Sequence, residues 1–421
     1  MTESHEGLVD VVLPGGEGLV RYQNNNILIP NTVEGDQIQF RIMQKRRGAL
    51  RGELLEVIKP SKDRIQAPCP ASTECGGCAL QSMSQTSQSA LKNTWVKQAF
   101  LEFISPDTEV SLLDASLYEF SGRRRVRWFV ENGRLGFYKR ASHQIIHSYE
   151  CLVLTTGLNE MRKQLEAILS QFPQVVESIQ ATELHHGTHI IFESKSKIDN
   201  VNLPEFRTQD NVQYWWRQLE TPSIKPLNRP IIPLFDRISL LPYLEKDLDI
   251  QIGPNDFIQG HAQGNQSLIQ QILAWSQGST RIVDLFSGCG NLSLPLAAAN
   301  GATIVGAEAN VNSVQAANNN AKRLQLNATY HTVDLFGNFD IEPFIGADTL
   351  IIDPPRKGAK RICNMIHQFF PKQIIMVNCD AASGARDAKA LQESGFRLKA
   401  LRPLDLFPYT GHVEVMSLWT R

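Results

Sequence analysis

Three patterns of apolar and polar positions divide the chain. Between residues 8 and 58, short alternating runs such as Ile27-Leu28-Ile29 and Asp36-Gln37-Ile38-Gln39-Phe40-Arg41-Ile42 are separated by turn signals at Gly15-Gly16, Asn24-Asn25-Asn26 and Glu34-Gly35-Asp36. Period-two alternation broken in this way predicts a small β-barrel. A linker from Lys59 to Pro70 leads into a middle region where helices are expected over 85–103 and 156–171 and strands over 123–130, 134–138 and 188–193, with no repeating period. That is mixed α and β. After about residue 250, continuous apolar runs alternate with glycine turns and helical periods: strands at 281–286, 303–308, 350–353 and 373–378, helices at 292–299 and 312–324. Buried strands joined by crossovers of this length form a doubly wound, mainly parallel sheet, whose ligands sit beyond the carboxyl ends of the strands. The expected division is therefore a barrel over 1–60, a central α+β domain over 61–250 and an α/β domain over 251–421.

Length and composition narrow the class. A chain of 421 residues with 42% hydrophobic and 20% charged positions has the make-up of an ordinary globular protein of about three domains. Lysine plus arginine, 42, nearly balances aspartate plus glutamate, 43, so any nucleic-acid affinity has to come from local patches. Two exist. Residues 41–51 carry Arg41, Lys45, Arg46, Arg47 and Arg51 with no acid, and residues 123–140 carry Arg123, Arg124, Arg125, Arg127, Arg134, Lys139 and Arg140 against Glu131 alone. The second patch interleaves Trp128, Phe129, Phe137 and Tyr138, a mixture that can neutralise phosphates and stack unpaired bases. A solvated strand edge and the inward half of an alternating strand are the structural alternatives. No run reaches the ~18 apolar residues of a membrane span, and the first ten residues lack the apolar stretch of a secretory signal. The expectation is a cytoplasmic protein, free of membranes and monomeric, with reduced thiols.

The chemistry is expected in the last domain. Asp284-Leu-Phe286-Ser-Gly288-Cys-Gly290-Asn291 follows a strand and opens a helix, and its glycines let the backbone pass close to a ligand. Ser293 stands where a dinucleotide fingerprint has its third glycine, so a pyrophosphate is not the obvious guest. Glu308, at the tip of the next strand, is placed for a ribose diol, and Asp334, after a third strand, for an adenine amino group. Glycine turn, ribose acid and adenine acid in this order describe the S-adenosylmethionine pocket of Rossmann-like methyltransferases. Asp353-Pro354-Pro355-Arg356 ends the fourth strand, where substrate is presented; an arginine in place of an aromatic residue after the proline pair argues against methylation of an exocyclic nitrogen. Cys379 ends the following strand. A thiolate there could add to carbon 6 of a pyrimidine and make carbon 5 nucleophilic, after which a base must remove the carbon-5 proton. Glu414 is the candidate base and His412 its rival; inert packing is the plain alternative for the cysteine.

Of seven cysteines, Cys69, Cys75 and Cys78 fall within ten residues of a Pro/Gly-rich loop, and Cys151 is the nearest unassigned fourth. Such a set points to a metal, with zinc and iron–sulfur not separable by spacing.

Taken together, these motifs resemble the RNA uracil-5-methyltransferases, in particular the bacterial 23S ribosomal RNA members with an N-terminal TRAM domain and a [4Fe-4S] cluster. The similarity spans nearly the whole chain. Gly15-Gly-Glu-Gly-Leu-Val-Arg21 with Ile27-Leu-Ile-Pro-Asn31 resembles the TRAM barrel, an OB-like fold, and Gly122-Arg-Arg-Arg-Val-Arg127 the basic stretch of the central domain. Asp256-Phe-Ile-Gln259 followed by Asn265-Gln266 resembles the segment that sets a glutamine on the cofactor. The resemblance implies a Rossmann-like S-adenosylmethionine methyltransferase domain behind an OB-like TRAM barrel and a central α+β iron–sulfur domain. It implies Cys379 as nucleophile, Glu414 as base and Asp353 beside them. Cofactor would be held by Gln259, Phe286, Gly288, Gly290, Asn291, Glu308, Asp334 and Asp353, the cluster by Cys69, Cys75, Cys78 and Cys151, and RNA by Arg46, Arg47, Arg123, Arg124, Arg125 and Arg127. The implied partner is ribosomal RNA, 23S before others, with transfer RNA or an RNA-binding factor without turnover as the alternatives. One departure stands out: the family's Ser-Cys-Asn-Pro is Asn378-Cys379-Asp380-Ala381 here. An ionised Asp380 would raise the thiol pKa, and Arg386 could offset it.

Overall fold

The structure, a computed structural model, describes residues 3–421 apart from 47–48, 114–120, 148–149, 171–174, 198–210 and 222, and leaves the side chains of 44–46 undescribed. Its first five strands, β1 (Ser4–Leu13), β2 (Glu17–Tyr22), β3 (Asn25–Pro30), β4 (Gln37–Arg46) and β5 (Ala49–Lys59), close into a barrel in the order β1-β2-β3-β5-β4. Alternation delivers Val9, Val20, Ile27, Ile29, Ile38 and Phe40 to its interior. The basic turn region is partly neutralised, since Arg41 pairs with Glu53 at 2.9 Å and Arg51 with Glu17.

The chain then runs through the cysteine loop into α1 (Gln85–Ala99), which stops short of the expected 103 because Phe100 leaves helical geometry and a single 3₁₀ turn follows. This helix joins two bodies. Trp95 Nε1 donates to the Val12 carbonyl of the barrel at 2.9 Å, while the fully buried Lys92 bonds both oxygens of Asp405 at 2.8 Å. After it, β6 (Glu109–Val110) adds to the edge of the C-terminal sheet.

The middle region forms a seven-stranded sheet ordered β13-β12-β11-β10-β7-β8-β9, from β7 (Arg125–Glu131), β8 (Arg134–Tyr138), β9 (Ile145–Ile146), β10 (Ser178–Leu184), β11 (Gly187–Ser194), β12 (Val212–Gln218) and β13 (Ile224–Pro226). Helix α2 (Thr156–Leu169), capped by the Thr155 hydroxyl, covers one face, where Trp128, Ile179, Ile190, Phe192 and Trp216 form the core. Trp128 is thus packing rather than a base-stacking surface. A hairpin of β14 (Leu234–Ser239) and β15 (Asp247–Ile252) follows, and its apolar side joins the core of the last domain.

That domain is an α/β sandwich. Helix α3 (Ala262–Trp275) precedes β16 (Arg281–Leu285), α4 (Leu294–Asn300), β17 (Thr303–Glu308), α5 (Val311–Arg323), β18 (Ala328–Thr332), β19 (Thr349–Ile352), α6 (Lys360–Asn364), α7 (Ile366–Phe369), β20 (Gln373–Asn378), α8 (Ala381–Glu393), β21 (Arg397–Leu404) and β22 (Glu414–Thr420). The sheet order is β18-β17-β16-β19-β20-β22-β21-β6, with β22 antiparallel to both neighbours. Successive residues of one strand enter opposite cores: Ile374 and Met376 point to one layer, Ile375 and Val377 to the other. With both faces buried, ligands are left the strand ends, and the reversal of strand order between β16 and β19 opens a crevice there.

Candidate active site

The crevice is an open pocket of about 620 Å³ whose wall includes Gln259, Phe286, Gly288, Glu308, Asp353, Cys379 and Glu414. Each reaches it for a topological reason. Phe286, Glu308, Asp353 and Cys379 follow or end parallel strands, whereas Glu414 begins the antiparallel β22 and so meets them at the same edge. Phe257, Leu335, Phe336, Pro354 and Phe407 supply apolar walls that spacing arguments passed over. Lys357 sits 3.2 Å above the Phe336 ring, holding the loop after Pro355 against that wall.

The glycine turn has the shape of a cradle. Phe286, Gly288 and Gly290 all adopt positive φ, and a Cβ on Gly290 would lie 2.8 Å from Leu294. Gly288 N donates to Glu308 Oε2 at 3.2 Å, tying two strand tips together. Among the described residues neither oxygen of the fully buried Asp284 has a hydrogen-bond partner, nor has Ser287 Oγ, while the Ser293 hydroxyl is engaged with Tyr330 at 2.9 Å. Orphaned polar atoms under a glycine cradle fit a polar, cationic cofactor such as S-adenosylmethionine. Two expected cofactor residues also bond within the protein. Asn291 exchanges amide hydrogen bonds with Asn265 at 2.8 and 3.0 Å, clamping the turn to α3, and Asp334 is exposed and accepts from Phe336 N.

Carboxylates crowd the site. Burial pushes Asp284 up to about 7, and burial with Asp284 nearby raises Asp353. Glu414, 2% exposed, is held well above the usual carboxylate range by burial and then by Asp353. Gln259 Nε2 reaches Asp353 Oδ2 at 3.5 Å. Half-buried Cys379 is raised to about 11 by burial, then by Glu414, with Arg356 acting against them and Asp353 and Asp380 adding less. Asp380 therefore raises the thiol as expected, but as the smallest of these influences. Its carboxylate caps α8, accepting from Ser383 N at 2.7 Å, so the departure from the family motif has a structural use. The expected offset by Arg386 is corrected: that guanidinium bonds Asp387 and the Lys357 carbonyl, and the cation acting on Cys379 is Arg356. His412 Nε2 faces Arg356 Nη2 at 3.4 Å and its proton affinity is lowered by burial and by that cation, which leaves it poorly placed as a base.

Elsewhere the expected residues separate. Arg124 is sealed at 5% exposure, donating to both Asp236 oxygens at 2.7 and 2.8 Å and to the Gln259 carbonyl, so it cannot meet a phosphate; this corrects its assignment to RNA. Arg47 lies outside the described residues, and so does the side chain of Arg46. Among the described residues no three His, Cys, Asp or Glu side chains are already grouped to hold a metal ion. The four thiols are free and within electrostatic reach of one another, Cys75 sensing Cys69, and Cys78 sensing both Cys151 and Cys75.

Known proteins are similar to this chain. The family described as methyltransferase small domain matches residues 257–374. A 23S rRNA (uracil(1939)-C(5))-methyltransferase RlmD from Vibrio vulnificus is 30% identical, the match covering 98% of this chain and 95% of that protein. The chain belongs to the RNA uracil-5-methyltransferase family. An RlmD from Pectobacterium atrosepticum is 29% identical over 96% of this chain and 91% of its own. The crystal structure of Pyrococcus abyssi tRNA (uracil-54, C5)-methyltransferase with S-adenosyl-L-homocysteine superposes with a TM-score of 0.78 at 23% identity, covering 99% of this chain and all of that one, which establishes the shared fold. Like its relatives, this family member is an S-adenosylmethionine-dependent methyltransferase. No helix among the described residues is long and apolar enough to cross a membrane.

Proposed function

We propose that the chain methylates carbon 5 of one uridine in 23S ribosomal RNA, the position that its relatives' names give as 1939. The observation that carries this reading is the convergence of Cys379, Glu414 and Asp353 at the edge where the glycine cradle opens. When bound, S-adenosylmethionine supplies an electrophilic methyl group. Cys379 bonds to carbon 6 of the uracil, and the displaced π-electrons make carbon 5 a nucleophile that takes the methyl. Glu414 then removes the carbon-5 proton, the carbon–sulfur bond breaks and the thiolate leaves. Asp353 and Gln259 orient base and cofactor, and the uridine must leave its stack to reach the thiol.

We further propose that Cys69, Cys75, Cys78 and Cys151 hold a [4Fe-4S] cluster. Four free thiols of one neighbourhood support it, as does Arg140, whose Nη2 donates to the Cys75 and Cys78 carbonyls and closes the loop around them. The cluster would brace the loop and takes no step in methyl transfer. The barrel and the basic strands would hold flanking RNA, acting in the cytoplasm as a monomer.

The decisive experiment is a denaturant-resistant adduct with 5-fluorouridine RNA, which the wild type should form and Cys379→Ala should not; equal adducts overturn the nucleophile. Mapping 5-methyluridine in RNA with and without the gene identifies the target, and loss of a transfer-RNA site instead would overturn the ribosomal assignment. Iron and sulfide in anaerobically purified protein support the cluster, whereas zinc alone refutes it.

A further inference from the structure

The central sheet has a second face that neither the catalytic pocket nor the α2 core uses. Pairing registers place three rows of side chains on it across β7, β10, β11 and β12. They are Phe129, Ser178, Glu193 and Arg217; then Arg127, Gln180, Ile191 and Trp215; then Arg125, Thr182, His189 and Gln213. Cations outnumber acids here. Arg127 and Arg217 both bond Glu193 Oε1 at 2.7 Å, and Glu193, fully buried, is also bonded by Ser178 and Gln180. A single carboxylate thus serves two guanidiniums, and Arg125, half-buried beside them, is held below its usual proton affinity by desolvation and by both neighbours.

One side of this face is covered and the other is open. On the covered side, His189 bonds the Ile252 carbonyl and Arg217 bonds Asn255. On the open side, Phe129 and Tyr138 stack with centroids 3.7 Å apart beside a pocket of about 360 Å³ at the end of the sheet, which they line together with His143 and with Leu169 and Val176 from the α2 side, and Arg127 remains 45% exposed. The strip then runs along β7. Phe129, Arg127 and Arg125 step at two-residue intervals, roughly 13 Å in all, and the Arg125 guanidinium lies 5.5 Å from the ring of Phe257, which belongs to the wall of the catalytic pocket. An aromatic platform followed by two arginines, ending at the catalytic pocket, matches single-stranded RNA, whose bases stack on aromatic faces and whose phosphates seek guanidiniums.

We infer that this open strip is a docking track for the single-stranded nucleotides flanking the target uridine, with a base on the Phe129–Tyr138 pair and phosphates at Arg127 and Arg125. Arg217 holds Glu193 in place and keeps Arg127 directed along the track. The inference rests on the RNA-methylating reading for the identity of its ligand.

The test is binding of the full-length protein to a 23S rRNA fragment containing the target uridine with its single-stranded flanks, and to the same fragment with the flanks removed. Tyr138→Leu keeps apolar bulk, and should weaken binding to the flanked fragment about tenfold while leaving the trimmed one unchanged. Arg127→Gln should reduce the salt slope of binding by about 0.7, the value of one phosphate on a single strand. Phe129→Leu provides a second aromatic deletion should Tyr138→Leu fold poorly. Wild-type affinity and salt slope in these variants overturn the track. Methyl transfer is read separately with the 5-fluorouridine adduct: no adduct from the wild type, with binding still weakened by the variants, would refute the methylation reading and leave the track standing.

Discussion

The two large sheets of this protein use opposite strategies. The C-terminal sheet is apolar on both faces, with Ile375 and Val377 in one layer and Ile374 and Met376 in the other, so it has only strand ends to offer a ligand. The central sheet is apolar on the α2 side alone, and its other face carries Arg125, Arg127, Arg217, Glu193, His189 and Gln213. A parallel sheet wound on both sides concentrates chemistry at an edge, whereas a mainly antiparallel sheet whose second face is only partly covered can present an extended strip. The division of labour between a small pocket and a long substrate follows from that difference.

Four measurements would sharpen or break the comparison. The largest effect is expected at the strand ends. Glu414→Gln should lower turnover by about 10²–10⁴ while the covalent adduct still forms, because removing the carboxylate that raises Cys379 favours the thiolate. In the wild type both groups lie above their ordinary values and both must lose protons, so single-turnover rates should climb with pH across neutrality; a rate falling from pH 7 to 9 would contradict these roles.

Next comes the doubly buried sheet. Ile375→Ala should cost about 2–5 kcal/mol in denaturant unfolding, as large cavities in close-packed cores do. A cost below 1 kcal/mol would mean that the two-faced core is loosely filled.

The polar face should respond to pH instead. His189 is neutral, accepting from Trp215 Nε1 at 3.0 Å and donating to the Ile252 carbonyl at 2.9 Å, and burial lowers its pKa from 6.5 to about 4. Between those values the unfolded chain takes up a proton that the folded one resists. Stability is therefore complete above pH 6.5 and declines by about 3 kcal/mol as the pH falls to 4. The difference between wild type and His189→Gln should shrink over this window, and a pH-independent difference would refute the neutral histidine.

The smallest effect is expected at Gln213, fully buried with neither amide atom hydrogen-bonded among the described residues. Gln213→Met should be neutral or stabilising by up to about 1 kcal/mol, because it removes an unsatisfied polar group at similar volume. A loss above 2 kcal/mol would show that the amide is needed on this face.

Much of the site was legible because strand tips are local. An apolar run followed by a charged or nucleophilic residue announces Asp284, Glu308, Asp353 and Cys379 wherever the strands end up, and all four strands form as expected. The partners of Asn291 and Asp334 were not legible for the opposite reason: their short polar side chains bond Asn265 and the Phe336 amide, neighbours that spacing does not reveal. The basic stretch shows the same limit. Four arginines in five positions look equivalent in sequence, yet alternation sends Arg124 to Asp236 and leaves Arg125 and Arg127 on the polar face.

Sequence by itself determined the order of elements, the barrel, the winding of the last domain and the residue types at its strand ends, because these depend on local periodicity and turn chemistry. Only the tertiary structure decided which body each segment joins and which charge each site feels. Residues 85–110 precede the central sheet yet pack against the C-terminal one, through Lys92 with Asp405 and through β6 with β21. The cation that acts on Cys379 is Arg356 from the neighbouring strand end rather than Arg386, seven residues along the chain. Electrostatic influence falls with distance through space, and that distance exists only once the strands are side by side.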